Sequence, residues 1–243
     1  MFAPITSLRK TEATFCFFKP VKKLFCFPMS HPHSELASAL HCAADLLIER
    51  NLSDEDRIEA LGHVERAITA LERGTTRSEG ERVAAFLAEM IPEADAPPIV
   101  SGDRLEGFAA SPYSGDANAL RPTSVRYTAM DHGVHALVTM GLALEGRPGR
   151  AHGGATAAVF DDVMGAVQRT VGRSGYTRRL TVEYYKPLPV DSPVEFFASY
   201  TGQDRGRFTV EAEAKHDGIL VAAATGIFTE VSVETFGAPF TER

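Results

Sequence analysis

The chain has 243 residues, of which 44% are hydrophobic and 23% charged, proportions typical of a globular protein of one or two domains. Its formal net charge of −7 at pH 7 argues against a general nucleic-acid binder, because such a surface repels phosphate. No apolar run reaches the roughly 20 residues that a membrane-spanning helix needs, so we expect no stable membrane insertion.

Residues 1–30 form a basic segment with several phenylalanines, in which five Lys or Arg side chains stand against one glutamate. The segment lacks the apolar core and cleavage site of a secretory signal. We interpret it either as a disordered tail or as a mis-assigned start, with Met29 as the alternative first residue. The three cysteines, Cys16, Cys26 and Cys42, show neither metal-ligand spacing nor a disulfide framework. We therefore expect a reducing, cytoplasmic location and no metal or other cofactor.

Residues 31–96 are predicted to form helices followed by a linker, and they carry fourteen acidic residues against six arginines. Ser53, with Asp56 three residues later, has a pattern close to that of a capping box at the start of a helix. We interpret this extension as a helical cap or an oligomerisation element, since its negative charge disfavours a DNA-binding role. Because every candidate catalytic residue lies beyond residue 145, we expect residues 31–93 to be dispensable for chemistry but not for solubility or assembly.

From residue 97 to residue 243 the pattern is that of strands around one helix. The segment Asp131-His132-Gly133 lies between apolar runs and predicts a hairpin. Residues 152–172 are predicted to form one long, mostly apolar helix, which indicates burial on most sides. Four further strands are predicted at Thr177–Tyr185, Val194–Thr201, Arg207–Lys215 and Ile219–Val233. The sequence therefore predicts an α+β fold with antiparallel strands around a buried helix.

The start of the long helix has the sequence Arg150-Ala151-His152-Gly153-Gly154. Glycines there let backbone N–H groups approach a ligand, and a helix N terminus favours a bound oxyanion. Asp161 is a charged residue within an apolar helix, which is costly unless the residue is paired or functional. On a regular helix, His152 and Asp161 are roughly 13 Å apart and about half a turn out of phase. We therefore predict a site shared by two chains, with the helix start from one and the carboxylate from the other.

Two blocks of the sequence resemble the hotdog-fold acyl-CoA thioesterases of the phenylacetate-pathway (PaaI) and THEM4-like group. The blocks are Glu145–Gly154 with Asp161 and Gly165, and Thr177 with Leu180–Pro189. The resemblance covers about residues 101–234. It implies a hotdog fold, an antiparallel sheet wrapped around one long central helix, here with an N-terminal helical extension. It also implies an acyl-CoA substrate, hydrolysis to a free carboxylic acid and CoA, and a homodimer or dimer of dimers.

The resemblance assigns roles to the helix residues. Gly153 would donate its backbone N–H to the thioester oxygen, with Gly154 beside it as a second donor. His152 would orient the thioester or hold the loop, a purely structural histidine being the alternative. Asp161, rather than Asp162, would act as general base or nucleophile, since the family's carboxylate lies nine positions after the histidine.

Residues outside the helix are included as well. Thr177 would position the attacking water together with Asp161, the alternative being an ordinary strand threonine. Arg178 and Lys186 are candidates for contact with the CoA phosphates, although a solvated position is the better interpretation for each alone. Gly146 stands where the branch of the family that acts on short-chain and aryl substrates has an asparagine, so aryl-CoA specificity is not carried over.

Two other functions stay open from the sequence. One is a hotdog hydratase or dehydratase acting on acyl thioesters, whose different His/Asp arrangement we do not find here. The other is a non-catalytic acyl-CoA-binding regulator, which would need a basic helical headpiece in place of the acidic extension.

Overall fold

The computed structural model describes residues 33–90, 98–108 and 111–232. The chain begins with α1 (Ser34–Glu49), α2 (Asp54–Leu71) and α3 (Glu79–Met90), and α4 (Gly153–Thr170) follows later. The strands are β1 (Arg104–Leu105), β2 (Ser124–Met130), β3 (Gly133–Thr139), β4 (Glu145–Arg147), β5 (Arg150–Ala151), β6 (Gly175–Tyr184), β7 (Pro193–Asp204), β8 (Arg207–His216) and β9 (Ile219–Glu230). The expectations for the basic segment 1–30 lie outside the described residues.

Local hydrogen bonds explain where two of the N-terminal helices start. The Ser53 hydroxyl accepts the backbone N–H of Asp56 at 3.1 Å, so the predicted cap of α2 is present. Before α3, the Glu81 N–H donates to the Ser78 hydroxyl at 3.2 Å, and the Ser78 N–H donates to the Glu81 carboxylate at 2.7 Å. This second pair is a complete capping box.

The main sheet has seven strands in the order β1-β2-β3-β7-β8-β9-β6, and every neighbouring pair is antiparallel. The predicted hairpin is confirmed between β2 and β3, where Met130 pairs with Gly133. His132 in its loop has φ +53°, the left-handed conformation that such a tight turn requires. The four predicted later strands are β6 to β9, and β6 lies at one edge of the sheet.

Helix α4 packs its apolar face against the sheet. Phe160, Val163, Met164 and Val167 are fully buried, and the Phe160 ring meets the Phe196 ring of β7 edge-on at 5.0 Å. Burying side chains of this size contributes about 1.5–3 kcal/mol each. One long helix covered by an antiparallel sheet confirms the expected α+β class and hotdog architecture.

The N-terminal extension divides into two parts that the sequence did not distinguish. Helix α1 buries Ser34, Ala37, Ser38 and His41. No residue of α2 is buried, and its Ile58 side chain is 73% exposed. Helix α1 thus packs against the rest of the domain, whereas every residue of α2 is at least partly exposed.

Candidate active site

His152 forms the cap of α4. Its backbone is extended, with φ −64° and ψ 135°, and its Nδ1 accepts the N–H of Gly154 at 3.0 Å. Because Nδ1 is the acceptor, the neutral ring carries its proton on Nε2. The His152 N–H donates to the carbonyl oxygen of Leu144 at 2.8 Å, so the cap residue is tied to the preceding loop. The structural role considered for His152 is therefore present, whatever further role the ring has toward a substrate.

Gly153 and Gly154 differ in what their N–H groups do. Gly153 is the first residue of α4, a position whose N–H has no partner within the helix. Its carbonyl oxygen accepts the Tyr184 hydroxyl of β6 at 2.7 Å, which joins the helix start to the edge strand. The Gly154 N–H donates to Nδ1 of His152, and its help in binding the substrate stays a prediction.

Gly146 provides the space in which His152 lies. A Cβ atom at residue 146 would be 2.9 Å from the His152 Cα and 3.3 Å from its Cβ. No other residue type fits this backbone without a shift of the α4 start. Gly146 thus allows a close contact between β4 and the helix cap.

Asp161 and Thr177 meet within one chain. The Thr177 hydroxyl donates to Oδ1 of Asp161 at 2.8 Å, although the two residues lie on α4 and β6. A β-bulge makes this contact possible. Thr177 pairs with Phe228 and Arg179 with Ile227, so Arg178 is an extra residue in β6. The bulge places Thr177 on the face of the sheet that covers α4, as bulges beside active sites commonly do.

The environment of Asp161 favours its neutral form. Burial raises the pKa of this carboxyl group above its ordinary value, and the negative charge of Asp162 adds to the increase. The hydrogen bond from Thr177 acts in the opposite direction and lowers the pKa. A carboxylate with a raised pKa is a stronger base once it is ionised, which suits proton abstraction from water.

Asp162 is held by two residues that the sequence analysis did not identify. It accepts hydrogen bonds from the hydroxyl groups of Ser111 and Tyr127. Tyr127 is 4% exposed, and burial together with the Asp162 charge raises the pKa of its phenol far above the usual value. Asp162 is therefore the structural carboxylate of the pair. A tyrosine in a strand is a sequence signal that could have indicated such an anchor, since a buried tyrosine needs a partner for its hydroxyl group.

Arg178 and Lys186 lie on the surface. Both residues are exposed, Arg178 at the bulge of β6 and Lys186 just beyond the end of the strand. The Lys186 backbone N–H donates to the Val221 carbonyl at 3.0 Å, which fixes the chain but not the ammonium group. Their contact with phosphate stays a prediction.

The two halves of the site lie apart within one chain. Gly153 and Asp161 are eight positions apart in α4, which is about 12 Å along the axis of a regular helix. The structure thus joins Asp161 to Thr177, and His152 to Gly153, without joining these two pairs to each other.

Comparison with solved structures identifies the fold. The fold is that of solved thioesterases: one crystal structure of a thioesterase superfamily protein matches with a TM-score of 0.64 and 21% identity over 83% of this chain and 97% of that chain. A hypothetical thioesterase from Streptococcus pneumoniae, crystallised with coenzyme A, matches with a TM-score of 0.42 and 21% identity over 44% of this chain and 86% of that chain. A conserved protein from Pseudomonas aeruginosa gives a TM-score of 0.39 and 27% identity, over 42% and 82% of the two chains.

A part of the chain also matches a family model. The model of the thioesterase superfamily matches residues 148–223, which include His152, Asp161 and Thr177. This part of the chain is therefore similar to the thioesterase superfamily, and the whole has the hotdog fold of a solved thioesterase superfamily protein. No protein of curated function matches the sequence. Among the described residues, no helix is long and apolar enough to cross a membrane.

Proposed function

We propose that this protein is an acyl-CoA thioesterase, which hydrolyses acyl-CoA to a free carboxylic acid and CoA. The observation that carries the proposal is the contact between the Thr177 hydroxyl and the Asp161 carboxylate at 2.8 Å, aimed by a bulge in β6. A half-buried carboxylate beside a hydroxyl is suited to hold and deprotonate one water molecule. The match of residues 148–223 to the thioesterase superfamily supports a thioester as the bond that this water would attack.

The Gly153 N–H is proposed as the donor that polarises the thioester carbonyl. It lies at the positive end of α4, where negative charge on the carbonyl oxygen is stabilised as the tetrahedral intermediate forms. The attack by water forms the new C–O bond. The C–S bond then breaks, and the proton lost by water reaches the CoA thiolate. Asp161 serves either as the base for this water or as a nucleophile that forms an acyl anhydride, which water then opens.

The distance between the two halves of the site favours a site shared by two chains. Gly153 of one chain and Asp161 of another would face one thioester. The place of β6 at the end of the sheet, among the strands that the structure describes, supports such an assembly, since an edge strand offers a row of backbone groups to a second strand. We therefore propose a homodimer or a dimer of dimers, with the exposed Arg178 and Lys186 as candidates for the CoA phosphates.

A thiol-release screen across acyl-CoA chain lengths tests the proposal. Replacing Asp161 by asparagine should lower kcat at least about a hundredfold, the usual effect of removing a positioned base. Asp204→Asn is the matched control, because Asp204 is 86% exposed at the end of β7, and the turnover of this variant should be unchanged. Near-normal turnover of the Asp161→Asn variant would refute the assignment. An enoyl-CoA substrate that changes its unsaturation without releasing thiol would favour a hydratase instead.

A further inference from the structure

We propose that Asp45 of α1 is a positioning residue, which sets the backbone at the start of α4 by capping the loop before it. The inference concerns a residue 98 positions away in sequence from the group that it binds. Its catalytic part rests on the proposed function, whereas its structural part is independent of any activity.

The first step is the contact between Asp45 and the 3₁₀ helix Leu142–Leu144. Oδ1 of Asp45 accepts the backbone N–H of Ala143 at 2.8 Å. The residue that precedes this 3₁₀ helix is Gly141, which has no side chain to cap it. A Cβ atom at Gly141 would lie 3.0 Å from Oδ2 of Asp45, so the carboxylate also occupies the space beside that glycine. Asp45 thus supplies the acceptor that an N-cap residue normally provides.

The second step leads from this 3₁₀ helix to the site. The Leu144 carbonyl oxygen, at the end of the 3₁₀ helix, accepts the N–H of His152 at 2.8 Å. His152 in turn caps α4 and stands directly before Gly153. A displacement of residues 142–144 should therefore also move the Gly153 N–H, which is proposed to bind the thioester oxygen.

The third step is the way in which α1 holds Asp45 in place. His41, one turn before Asp45 and 8% exposed, donates from Nδ1 to the Ala119 carbonyl oxygen at 3.1 Å. Its Nε2 lies 3.4 Å from the Thr123 hydroxyl oxygen and 3.5 Å from Oδ2 of Asp45. The Arg121 guanidinium donates to Ser38 of the same helix at 3.3 Å. Three polar contacts therefore fix the position of α1 against the domain.

The experiment compares Asp45→Ala with Asp45→Asn in the full chain, with Glu49→Gln as the control from the same helix. Glu49 has a 51% exposed side chain, and its recorded ion pair is with the neighbouring Arg50. Small displacements of a donor cost large factors in rate, so Asp45→Ala should lower kcat about ten- to hundredfold with KM little changed. Asparagine keeps an acceptor oxygen and should restore most of kcat. Glu49→Gln should behave as the wild type.

Hydrogen exchange supplies a readout that needs no substrate. In Asp45→Ala, amide exchange in peptides covering residues 141–156 should accelerate, while peptides covering residues 193–216 keep their protection. Unchanged exchange at 141–156 together with unchanged kcat would overturn the proposal, and so would equal acceleration in both regions. If Asp45→Ala does not fold, Asp45→Ser takes its place in the same comparison. A wild-type protein without thioesterase activity would refute the proposed function, and the exchange result would then decide on Asp45.

Discussion

Two opposing influences on Asp161 can be separated by substitution. The hydrogen bond from Thr177 lowers the pKa of the carboxyl group, whereas burial and the charge of Asp162 raise it. Since the proposed mechanism needs the ionised carboxylate, kcat/KM should fall as the pH drops through this pKa. The acidic limb of the pH profile therefore lies above the value of about 3.9 for a free aspartate.

The first prediction is a pair of shifts in opposite directions. Thr177→Val removes the bond that lowers the pKa, so the acidic limb of kcat/KM should move to higher pH. Asp162→Asn removes the charge that raises the pKa, so the limb should move to lower pH. The measurement is kcat/KM against pH for both variants, with Thr177→Ser, which keeps the hydroxyl, as the control. This account of the site would be contradicted if the acidic limb moved in the same direction in Thr177→Val and in Asp162→Asn.

At the scale of the elements, two glycines near the site differ in the space available for a side chain. Gly146 of β4 lies against the cap of α4, where a Cβ atom would be 2.9 Å from the His152 Cα. A Cβ atom at Gly165 of α4 would meet nothing within 4 Å in this chain. The same substitution should therefore have opposite effects at these two positions.

We expect Gly146→Ala to lower the free energy of unfolding by about 1–3 kcal/mol, because the added methyl group forces a backbone shift. It should also reduce thiol release, since the displaced backbone belongs to the helix cap. Gly165→Ala should raise the free energy of unfolding by up to about 1 kcal/mol, the difference in helix propensity. Denaturant unfolding of both variants measures these values. A Gly146→Ala variant as stable as the wild type would show that the contact is looser than described.

The long helix and the strands after it could be predicted because their patterns are local. Apolar spacing marks α4, and turn residues such as Asp131 and His132 mark the hairpin. The two-stranded sheet of β4 and β5 was not predicted, since strands of three and two residues carry no periodicity. The extent of burial of α1 was also missed, because it depends on contacts with residues 119–144 that are distant in sequence.

The resemblance supplied the candidate residues Asp161 and Thr177, and the structure supplied the reason that they meet. Strict alternation along β6 from Leu180 would place Arg178 on the helix side and Thr177 on the other face. The bulge reverses this, and no rule of alternation predicts a bulge. Asp45 was missed as well, since the sequence of a helix gives no sign that one of its carboxylates caps another element. That residues 31–93 are dispensable for chemistry stays a prediction, and the proposal for Asp45 exempts α1 from it.

At the scale of the whole molecule, the proposed sharing of the site between two chains leads to a quantitative prediction about mixed dimers. Asp161→Ala and Gly153→Pro should each be nearly inactive alone, because each removes one half of both sites. Refolded together, about half of the dimers should contain one chain of each kind, and one site in each of these should be intact. Activity should therefore recover to about a quarter of the wild-type value.

Gly153→Pro is a suitable partner for this test. Proline is tolerated at the first position of a helix, where it removes only an N–H that has no helical partner. The residue before it, His152, already has the extended backbone that a following proline requires. Circular dichroism checks that the helix content is retained. Verified mixed dimers that are no more active than the parent variants would place the whole site within one chain.

The cap that α1 provides has a consequence for the order in which this protein matures. Thr177 and Asp161 are 16 residues apart, whereas Asp45 and Ala143 are 98 apart. Closing a long loop costs more entropy than closing a short one, and contacts between distant residues are slow to form. During synthesis, α1 also leaves the ribosome long before the segment that it caps. We expect the half of the site with Asp161 and Thr177 to form early and the half with His152 and Gly153 to form last. A newly synthesised chain should therefore become active only after α1 has docked.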